Sequence, residues 1–247
     1  VFKMSNNDIW IHLKTGEIVL QTWSVPDKDP YSFSASDHDY VAHEWLSGVL
    51  FYLVYEAFGV NGLIAFKSAI IIATCGLLWA TARRFGAFPL VTCGAIMLML
   101  FIGSARFLER PHIFSYLFTA LYLFCYAEWR GSGNRRWLYL LPPLHVLWAN
   151  LHGGHYQGIF LLVMLAAAEC VMLVRARGMG WSRVDERPPL DVALVCASPV
   201  ACLAAGLVNP YGYRLLTFPF ELTGQAVPPG GHAQGIAYGN AYTLIPD

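Results

Sequence analysis

The sequence has few charged residues for its length. Charged residues make up 13% of the 247 positions, whereas hydrophobic residues make up 56%. A soluble domain usually carries about 25% charged residues, because water must wet its surface. The shortage excludes an ordinary soluble globular protein and indicates a chain whose surface largely faces lipid.

The sequence also lacks the motifs of several soluble enzyme classes. It contains no GxSxG, Walker, GxGxxG or HExxH pattern, which argues against nucleotide chemistry on the cytoplasmic side. Its six cysteines form no CxxC or Cys/His metal pattern, so we interpret them as small core residues. The net charge is zero, and nothing in the composition indicates a nucleic-acid partner.

Long apolar runs are what the sequence does contain. Because a bilayer's hydrocarbon core takes about 20 helical residues, six runs predict spans: 60–82, 87–104, 111–129, 137–151, 155–174 and 190–208. The run 45–58 is too short to cross and predicts a helix lying in the interface. The sequence therefore predicts an all-α, polytopic transmembrane bundle of about six spans, with amphipathic interfacial helices in the first extracytoplasmic loop.

Arginine is concentrated in alternate loops between the predicted spans. Nine arginines lie there: Arg83, Arg84, Arg130, Arg135, Arg136, Arg175, Arg177, Arg183 and Arg187. The positive-inside rule assigns such loops to the cytoplasm. The chain is then organised as an extracytoplasmic loop (1–59), a transmembrane bundle (60–208) and an extracytoplasmic tail (209–247).

Histidines and acids gather on the side away from these arginines. Seven of the eight histidines, all but His145, lie in or beside the predicted outer segments, as do most carboxylates. Two unrelated residue types converge on one face. We therefore expect chemistry or recognition there.

The first outer loop contains two pairs of candidate site residues. Asp8 and His12 are four residues apart and share one face if the segment is helical. His43 and Glu44 precede the predicted interfacial helix. A carboxylate near a membrane surface acts as a general base or binds a divalent cation that holds a phosphate. For Asp8, a solvated helix end is an equal alternative.

A second cluster, Arg106, Arg110 and His112, lies at the outer turn between the second and third predicted spans. Guanidinium groups pair with phosphate in a fork geometry, so this turn predicts a site for an anionic head group. The alternative is a structural pair between Arg110 and Glu109. Lys67 lies at membrane depth, where a charge is costly and usually faces the bundle interior.

A third cluster follows the fourth predicted span, where Asn150 and His152 precede a Gly-Gly turn. These side chains either face the same cavity as the other clusters or simply cap a helix end. His145 and Glu169 lie within predicted spans, and we interpret both as satisfied by neighbouring helices.

These motifs together resemble the GT-C superfamily of membrane glycosyltransferases, in particular a bacterial membrane branch. The resemblance covers most of the chain. It is carried by Asp8 with Trp10 and His12, by His43-Glu44-Trp45-Leu46, by Lys67-Ser68, by Arg110-Pro111-His112-Ile113-Phe114, by Asn150-Leu151-His152-Gly153-Gly154 and by Asn209-Pro210-Tyr211-Gly212.

The resemblance implies an enzyme of the bacterial inner membrane that passes a sugar from a polyprenyl-phosphate carrier to an extracytoplasmic acceptor. It makes Asp8 the catalytic acid/base candidate and assigns Lys67, Arg106 and Arg110 to the carrier phosphate. The other substrate-binding candidates are His12, His43, Glu44, His112, Asn150 and His152. Members of the superfamily have a span before the first outer loop and more spans after the last one, so we expect this chain to be either a fragment or a minimal relative without activity.

Two other classes stay open at this point. A transporter places ionisable residues near the bilayer midplane, whereas most of those here cluster at one surface. A non-catalytic membrane subunit would use the outer loops to bind protein partners in the membrane. Lipid is a partner in every case, and a divalent cation is an open cofactor.

Overall fold

The computed structural model describes residues 8–31, 39–178 and 188–218. These residues are helical, with one isolated bridge between Lys28 and Asp39 and no longer strand. The helices are α1 (Ile9–Thr22), α2 (Trp45–Arg84), α3 (Pro89–Gly103), α4 (His112–Ser132), α5 (Arg136–Tyr139), α6 (Leu141–Leu151), α7 (His155–Gly178) and α8 (Pro189–Ala205), with a 3₁₀ turn at Ser104–Arg106. The all-α prediction is confirmed for this part of the chain.

Three helical stretches in the described residues are long and apolar enough to cross a membrane. They are Trp45–Arg84, Pro89–Arg106 and His155–Arg175, and a shorter apolar stretch occupies Leu190–Ala205. Large apolar side chains on α3, including Met97, Leu98 and Phe101, are exposed, as expected of a surface that faces lipid. The chain is therefore a membrane-embedded helical protein, and its six spans stay a prediction.

Helix α2 contains a break at Gly59, where φ is 61° and ψ is −156°. Glycine adopts this left-handed region without the steric penalty that a Cβ would impose. The break divides an N-terminal segment, 45–58, from a longer apolar segment beginning at residue 60. This is the boundary that the hydropathy pattern predicts between the interfacial helix and the first span.

The predicted span 137–151 consists of two helices, α5 and α6. Pro142 and Pro143 lie in the first turn of α6, where the missing backbone N–H has no helical partner to lose. The prolines thus begin a new helix instead of kinking an existing one. With 11 residues, α6 is shorter than a bilayer-crossing helix.

Helix α1 lies directly against the N-terminal segment of α2 through two glycines. A Cβ placed on Gly16 would collide with the carbonyl oxygen of Gly48, and a Cβ on Gly48 would lie 2.7 Å from the carbonyl oxygen of His12. Only the hydrogen side chain of glycine fits at these two positions of the crossing. The close approach brings the first turn of α1, with Asp8 and His12, next to Glu44.

The core between α4 and α6 is aromatic. Phe118 stacks on Trp148 with ring centroids 5.6 Å apart, and Tyr122 meets Trp148 edge-on at 5.3 Å. The interpretation of cysteines as core residues is confirmed for the buried Cys125 and Cys202. It is wrong for Cys93, Cys170 and Cys196, which are exposed on the surface of the bundle.

The segment after α8 returns to the first outer segment. The Asn209 carboxamide accepts from the backbone N–H of Tyr211, and Gly212 has a φ of 55°, so a turn follows the end of α8. The Tyr211 hydroxyl donates to the carbonyl of Pro26 and accepts from the backbone N–H of Ala42. One side chain therefore connects the end of the bundle to the entry of α2.

Candidate functional site

A polar cavity of about 420 Å³ lies where α1, α2, α4 and α7 begin. Its lining combines acids, arginines and histidines from segments that are distant in the sequence. The lining residues are Asp8, His12, Glu44, Arg106, Arg110, Pro111, His112, Ser115, Tyr116, His152 and Gln157. Seven of the ten site residues predicted from the sequence are in this set.

Asp8 and Arg110 form an ion pair across the mouth of the cavity. Asp8 Oδ2 is 2.5 Å from the guanidinium of Arg110, and the two side chains are 37% and 40% exposed. Asp8 reaches this position because it immediately precedes α1. Its backbone carbonyl accepts hydrogen bonds from the backbone N–H groups of Ile11 and His12 in the first turn of that helix. The alternative pairing of Arg110 with Glu109 is not the one observed.

Glu44 lies deeper and faces three imidazoles. Its Oε1 is 3.3 Å from Nε2 of His152 and 3.7 Å from Nε2 of His43, and its Oε2 is 3.7 Å from Nε2 of His12. Burial raises the pKa of the Glu44 carboxyl to about 8. A carboxyl in this state exchanges a proton near neutral pH.

Burial has the opposite effect on the neighbouring imidazoles. Together with smaller contributions from neighbouring groups, it lowers the pKa of His12 to about 4 and the pKa of His152 to about 3. The pKa of His43 is also lowered by burial. The three rings are therefore neutral at physiological pH, and Glu44 gains no fixed positive partner from them.

The hydrogen bonds of His152 determine its tautomer. Its Nδ1 accepts from the backbone N–H of Gly154 at 2.9 Å and contacts the Ser115 hydroxyl at 2.6 Å. A backbone N–H only donates, so the proton of neutral His152 is on Nε2, facing Glu44. The Ser115 hydroxyl is held in turn by the indole N–H of Trp148 at 2.8 Å.

The Gly-Gly turn before α7 allows this arrangement. A Cβ on Gly154 would lie 2.6 Å from both Nδ1 of His152 and the hydroxyl oxygen of Ser115. A Cβ on Gly153 would lie 3.2 Å from the ring of His43. The turn is glycine-rich because two imidazoles and a hydroxyl approach its backbone closely.

Arg106 and His112 form the opposite wall. His112 Nε2 is 2.5 Å from the carbonyl oxygen of Arg106, which connects the start of α4 to the 3₁₀ turn. Among the described residues, no acidic side chain forms an ion pair with Arg106. Its guanidinium is available to an anionic ligand.

Arg106 also borders a second, apolar groove of about 470 Å³ between α2, α3 and α4. The groove lining is mostly aliphatic and aromatic: Ile71, Thr74, Leu78, Met99, Ile102, Gly103, Arg106, Phe107, Tyr116, Thr119, Ala120 and Gln157. Three residues, Arg106, Tyr116 and Gln157, belong to both linings. The polar cavity and the apolar groove are therefore adjacent.

Three predicted site residues lie outside the cavity lining. Lys67 donates to Glu109 at 2.5 Å, and the two side chains are only 8% and 4% exposed. This buried pair ties α2 to the turn before α4. Asn150 accepts from the indole N–H of Trp45 and donates to the carbonyl of Val208, so it connects α2, α6 and the end of α8.

His43, the third, lies behind Glu44. Its Nδ1 faces the carbonyl of Val41 at 3.3 Å, and its ring packs against Phe218. Two other predicted outer histidines, His38 and His232, lie outside the described residues.

Sequence reasoning missed Ser115, Tyr116 and Gln157. Ser115 follows His112 by three residues and therefore lies on the same face of α4, which is a signal that was present in the sequence. Tyr116 and Gln157 had no such signal, because neither belongs to a charged cluster. Their place between the polar cavity and the apolar groove depends on how α4 and α7 pack.

Glu169 and His145, two polar residues within the bundle, have partners, as expected. Glu169 accepts from the Tyr126 hydroxyl at 2.6 Å and pairs with Arg130 at 2.5 Å. His145 contacts the Tyr122 hydroxyl at 2.9 Å and His155 at 3.2 Å. Neither residue reaches the polar cavity.

The chemistry of the cavity does not favour a metal ion. Among the described residues, no group of three or more His, Cys, Asp or Glu side chains has the arrangement of a metal site. A histidine that binds a metal through Nε2 donates its Nδ1–H, whereas Nδ1 of His152 accepts a hydrogen bond. The cavity is suited instead to an anion beside Arg106 and to proton transfer at a carboxyl.

Comparison with known proteins gives no functional assignment. No family profile, curated protein or solved structure matches the chain.

Proposed function

We propose that this chain is a membrane glycosyltransferase of the bacterial inner membrane. It takes a sugar from a polyprenyl-phosphate carrier and transfers it to an acceptor on the extracytoplasmic side. In this proposal the six predicted spans cross the bilayer, and the polar cavity faces away from the arginine-rich loops. That orientation follows the positive-inside rule.

The observation that carries the proposal is the junction between the polar cavity and the apolar groove. A polyprenyl phosphate has the same two parts, an anionic head group and a long hydrocarbon chain. Arg106 lines both spaces and has no acidic partner among the described residues. A phosphate beside Arg106 would have its sugar in the polar cavity and its hydrocarbon chain in the apolar groove.

The dimensions of the two spaces support a ligand of this kind. Ligand pockets usually enclose roughly 300–1,000 Å³. The polar cavity, about 420 Å³, and the apolar groove, about 470 Å³, each fall in that range. A soluble nucleotide sugar would leave the apolar groove empty, which favours a lipid-linked donor.

The cavity also supplies groups for the chemistry of transfer. An acceptor hydroxyl must lose a proton, and Asp8 and Glu44 are the two carboxyls in the lining. The leaving phosphate gains negative charge, which a guanidinium stabilises. Arg106 is the lining residue at the junction where that phosphate would lie.

The first test is binding of a polyprenyl phosphate to the full chain in lipid nanodiscs. A lost charge-assisted hydrogen bond corresponds to about 1.5–3 kcal/mol, so Arg106→Gln should weaken binding roughly 10- to 100-fold. Arg83→Gln is the matched control, because Arg83 is exposed beside the Ala87 carbonyl at the other end of α2. Equal affinities in the two variants would refute the assignment of Arg106.

A second pair of variants tests the apolar groove. Thr119→Phe adds volume to the lining, whereas Val163→Phe adds it on an exposed face of α7 outside the lining. Only Thr119→Phe should weaken binding of the polyprenyl phosphate. Neither substitution should change the affinity of the chain for inorganic phosphate, which does not occupy the apolar groove. Sugar transfer by the wild-type chain from a polyprenyl-phosphate sugar must then be measured. Tight binding without transfer would favour a non-catalytic membrane subunit.

A further inference from the structure

We infer that Glu44, and not Asp8, accepts the proton that the acceptor hydroxyl gives up during sugar transfer. This assignment rests on the proposed function, since it specifies a role within that reaction. It differs from the role that the sequence motifs give to Asp8.

The surroundings of Asp8 are unsuited to accepting a proton. Its carboxylate is 2.5 Å from the guanidinium of Arg110, a group that stays protonated at any physiological pH. A proton arriving on Asp8 would remove the negative charge from this pair and leave Arg110 beside a neutral acid. Asp8 is better placed to position Arg110 at the mouth of the cavity.

The surroundings of Glu44 favour the same step. Its carboxyl lines the cavity and contacts imidazoles instead of a permanent cation. Nε2 of His152, which carries the proton because Nδ1 accepts from Gly154, lies 3.3 Å from Oε1. A neutral imidazole beside the carboxylate leaves its negative charge in place, so the Glu44 carboxylate can accept a proton. The raised pKa of Glu44 agrees with this geometry.

The transfer step balances without any further reactant. The acceptor O–H bond breaks and its proton goes to Glu44, while the acceptor oxygen forms a bond to the anomeric carbon of the sugar. The bond between that carbon and the phosphate oxygen breaks, and its electron pair leaves with the polyprenyl phosphate. The new negative charge on the phosphate then lies beside Arg106.

The titration of Glu44 depends on groups from every element around it. Asp8 and His12 face it from α1, His43 precedes it, Arg110 lies in the turn before α4, and His152 follows α6. Glu44 must be ionised to accept a proton. The transfer rate should therefore rise with pH and level off above about 8.

The experiment measures kcat between pH 5 and pH 10 for the full chain in a bilayer that contains a polyprenyl-phosphate sugar. General-base catalysis typically contributes 10²–10⁴-fold, so Glu44→Gln should lower kcat by about 100-fold or more, with binding of the polyprenyl phosphate retained. Asp8→Asn should lower kcat by less than about 10-fold and keep the rise of kcat with pH, shifted toward lower pH because, besides burial, the Asp8 charge raises the pKa of Glu44. Glu56→Gln, at an exposed position of α2, is the control for the substitution.

Infrared titration of protonated carboxyl groups adds a readout that does not depend on turnover. A carboxyl that titrates near pH 8 should be present in the wild type, should titrate at a lower pH in Asp8→Asn and should be missing in Glu44→Gln. If Glu44→Gln does not fold, Glu44→Asp should retain the titration and a reduced kcat. A kcat that survives in Glu44→Gln and disappears in Asp8→Asn would overturn this inference alone. A wild-type chain without transfer would refute the proposed function, and the inference with it.

Discussion

The two ends of the helical bundle use the same side chains in different ways. At the arginine-rich end, three guanidinium–carboxylate pairs each join two helical segments: Arg84 with Glu128, Arg130 with Glu169 and Arg135 with Asp191. Their acids are 11%, 2% and 5% exposed. At the cavity end, Asp8 is 37% exposed in its pair with Arg110, and Glu44 is faced by imidazoles.

The difference lies in what surrounds each charge. A buried carboxylate with one guanidinium partner is fixed, because either group alone would be an unpaired charge away from water. A carboxyl among neutral imidazoles, next to open volume, exchanges protons and accepts ligands. Charges at the arginine-rich end therefore stabilise the fold, as the buried Lys67–Glu109 pair does at the other end, and the charges that line the polar cavity are available for chemistry.

The largest expected effect comes from breaking a pair at the arginine-rich end. Arg130→Gln would leave the Glu169 carboxylate buried without its cation, which costs about 3–5 kcal/mol of stability. Thermal unfolding in detergent measures the loss. The exposed pair of Lys14 with Glu17 is the control, since Lys14→Gln should cost less than about 1 kcal/mol. Similar losses in both variants would contradict the comparison.

The next effect concerns the glycine crossing that positions α1. Gly48→Ala would place a Cβ 2.7 Å from the carbonyl oxygen of His12, and overpacking of this kind costs about 1–3 kcal/mol. Binding of a polyprenyl phosphate should weaken as well, because a displaced α1 changes the shape of the polar cavity that it lines. Gly76→Ala, where no atom lies within 4 Å of the new Cβ, should change neither property.

The cavity end should also give stability a characteristic dependence on pH. Folded Glu44 keeps its proton up to about pH 8, whereas the unfolded carboxyl loses it near 4.5, so stability falls as pH rises through this interval. His12 and His152 resist protonation until about pH 4 and 3, so stability also falls as pH drops below 6.5.

Below pH 6.5 the stability lost through the two imidazoles exceeds the stability gained through the one carboxyl. The unfolding temperature should therefore be highest near pH 6.5. Glu44→Gln should remove the decline between pH 6.5 and 8 and steepen the decline on the acid side, where Glu44 opposes the two imidazoles. An unfolding temperature that keeps its alkaline decline in Glu44→Gln would show that another group titrates there.

The smallest expected effect separates positioning from proton transfer. Asp8→Asn removes a negative charge near the site for the phosphate, so a polyprenyl phosphate should bind roughly threefold more tightly. Stability should change by less than about 1 kcal/mol, as for other exposed ion pairs. Isothermal titration in nanodiscs at two salt concentrations would measure the change, which should shrink at the higher salt. Weaker binding would mean that Asp8 contacts the ligand directly.

Much of the helical framework could be predicted from hydropathy. The helix starts at α3, α4, α7 and α8 are close to the predicted ones, and the break at Gly59 falls between predicted segments. Hydropathy succeeds here because lipid requires long apolar helices with internally satisfied backbones. It did not predict that residues 137–151 form two helices, because two prolines begin a separate short helix there.

For the candidate site, the sequence could predict which residues take part but not how they pair. Charge clustering identified Asp8, Glu44, Arg110 and His152, although they are up to 144 positions apart along the chain. The pairings were not predictable, because Lys67 and Glu109 meet through the packing of α2 against the turn before α4. The apolar groove could not be predicted either, because each of its residues is of a type that is common in any lipid-embedded helix.

The apolar groove has a kinetic consequence. Ile102 lines it and is 71% exposed on the outer surface of α3, so the groove extends to the side of the bundle. A carrier would enter sideways from the bilayer without crossing water. Its encounter rate would then follow its mole fraction among the surrounding lipids and the viscosity of the leaflet, and diluting the sample with buffer would leave that rate unchanged.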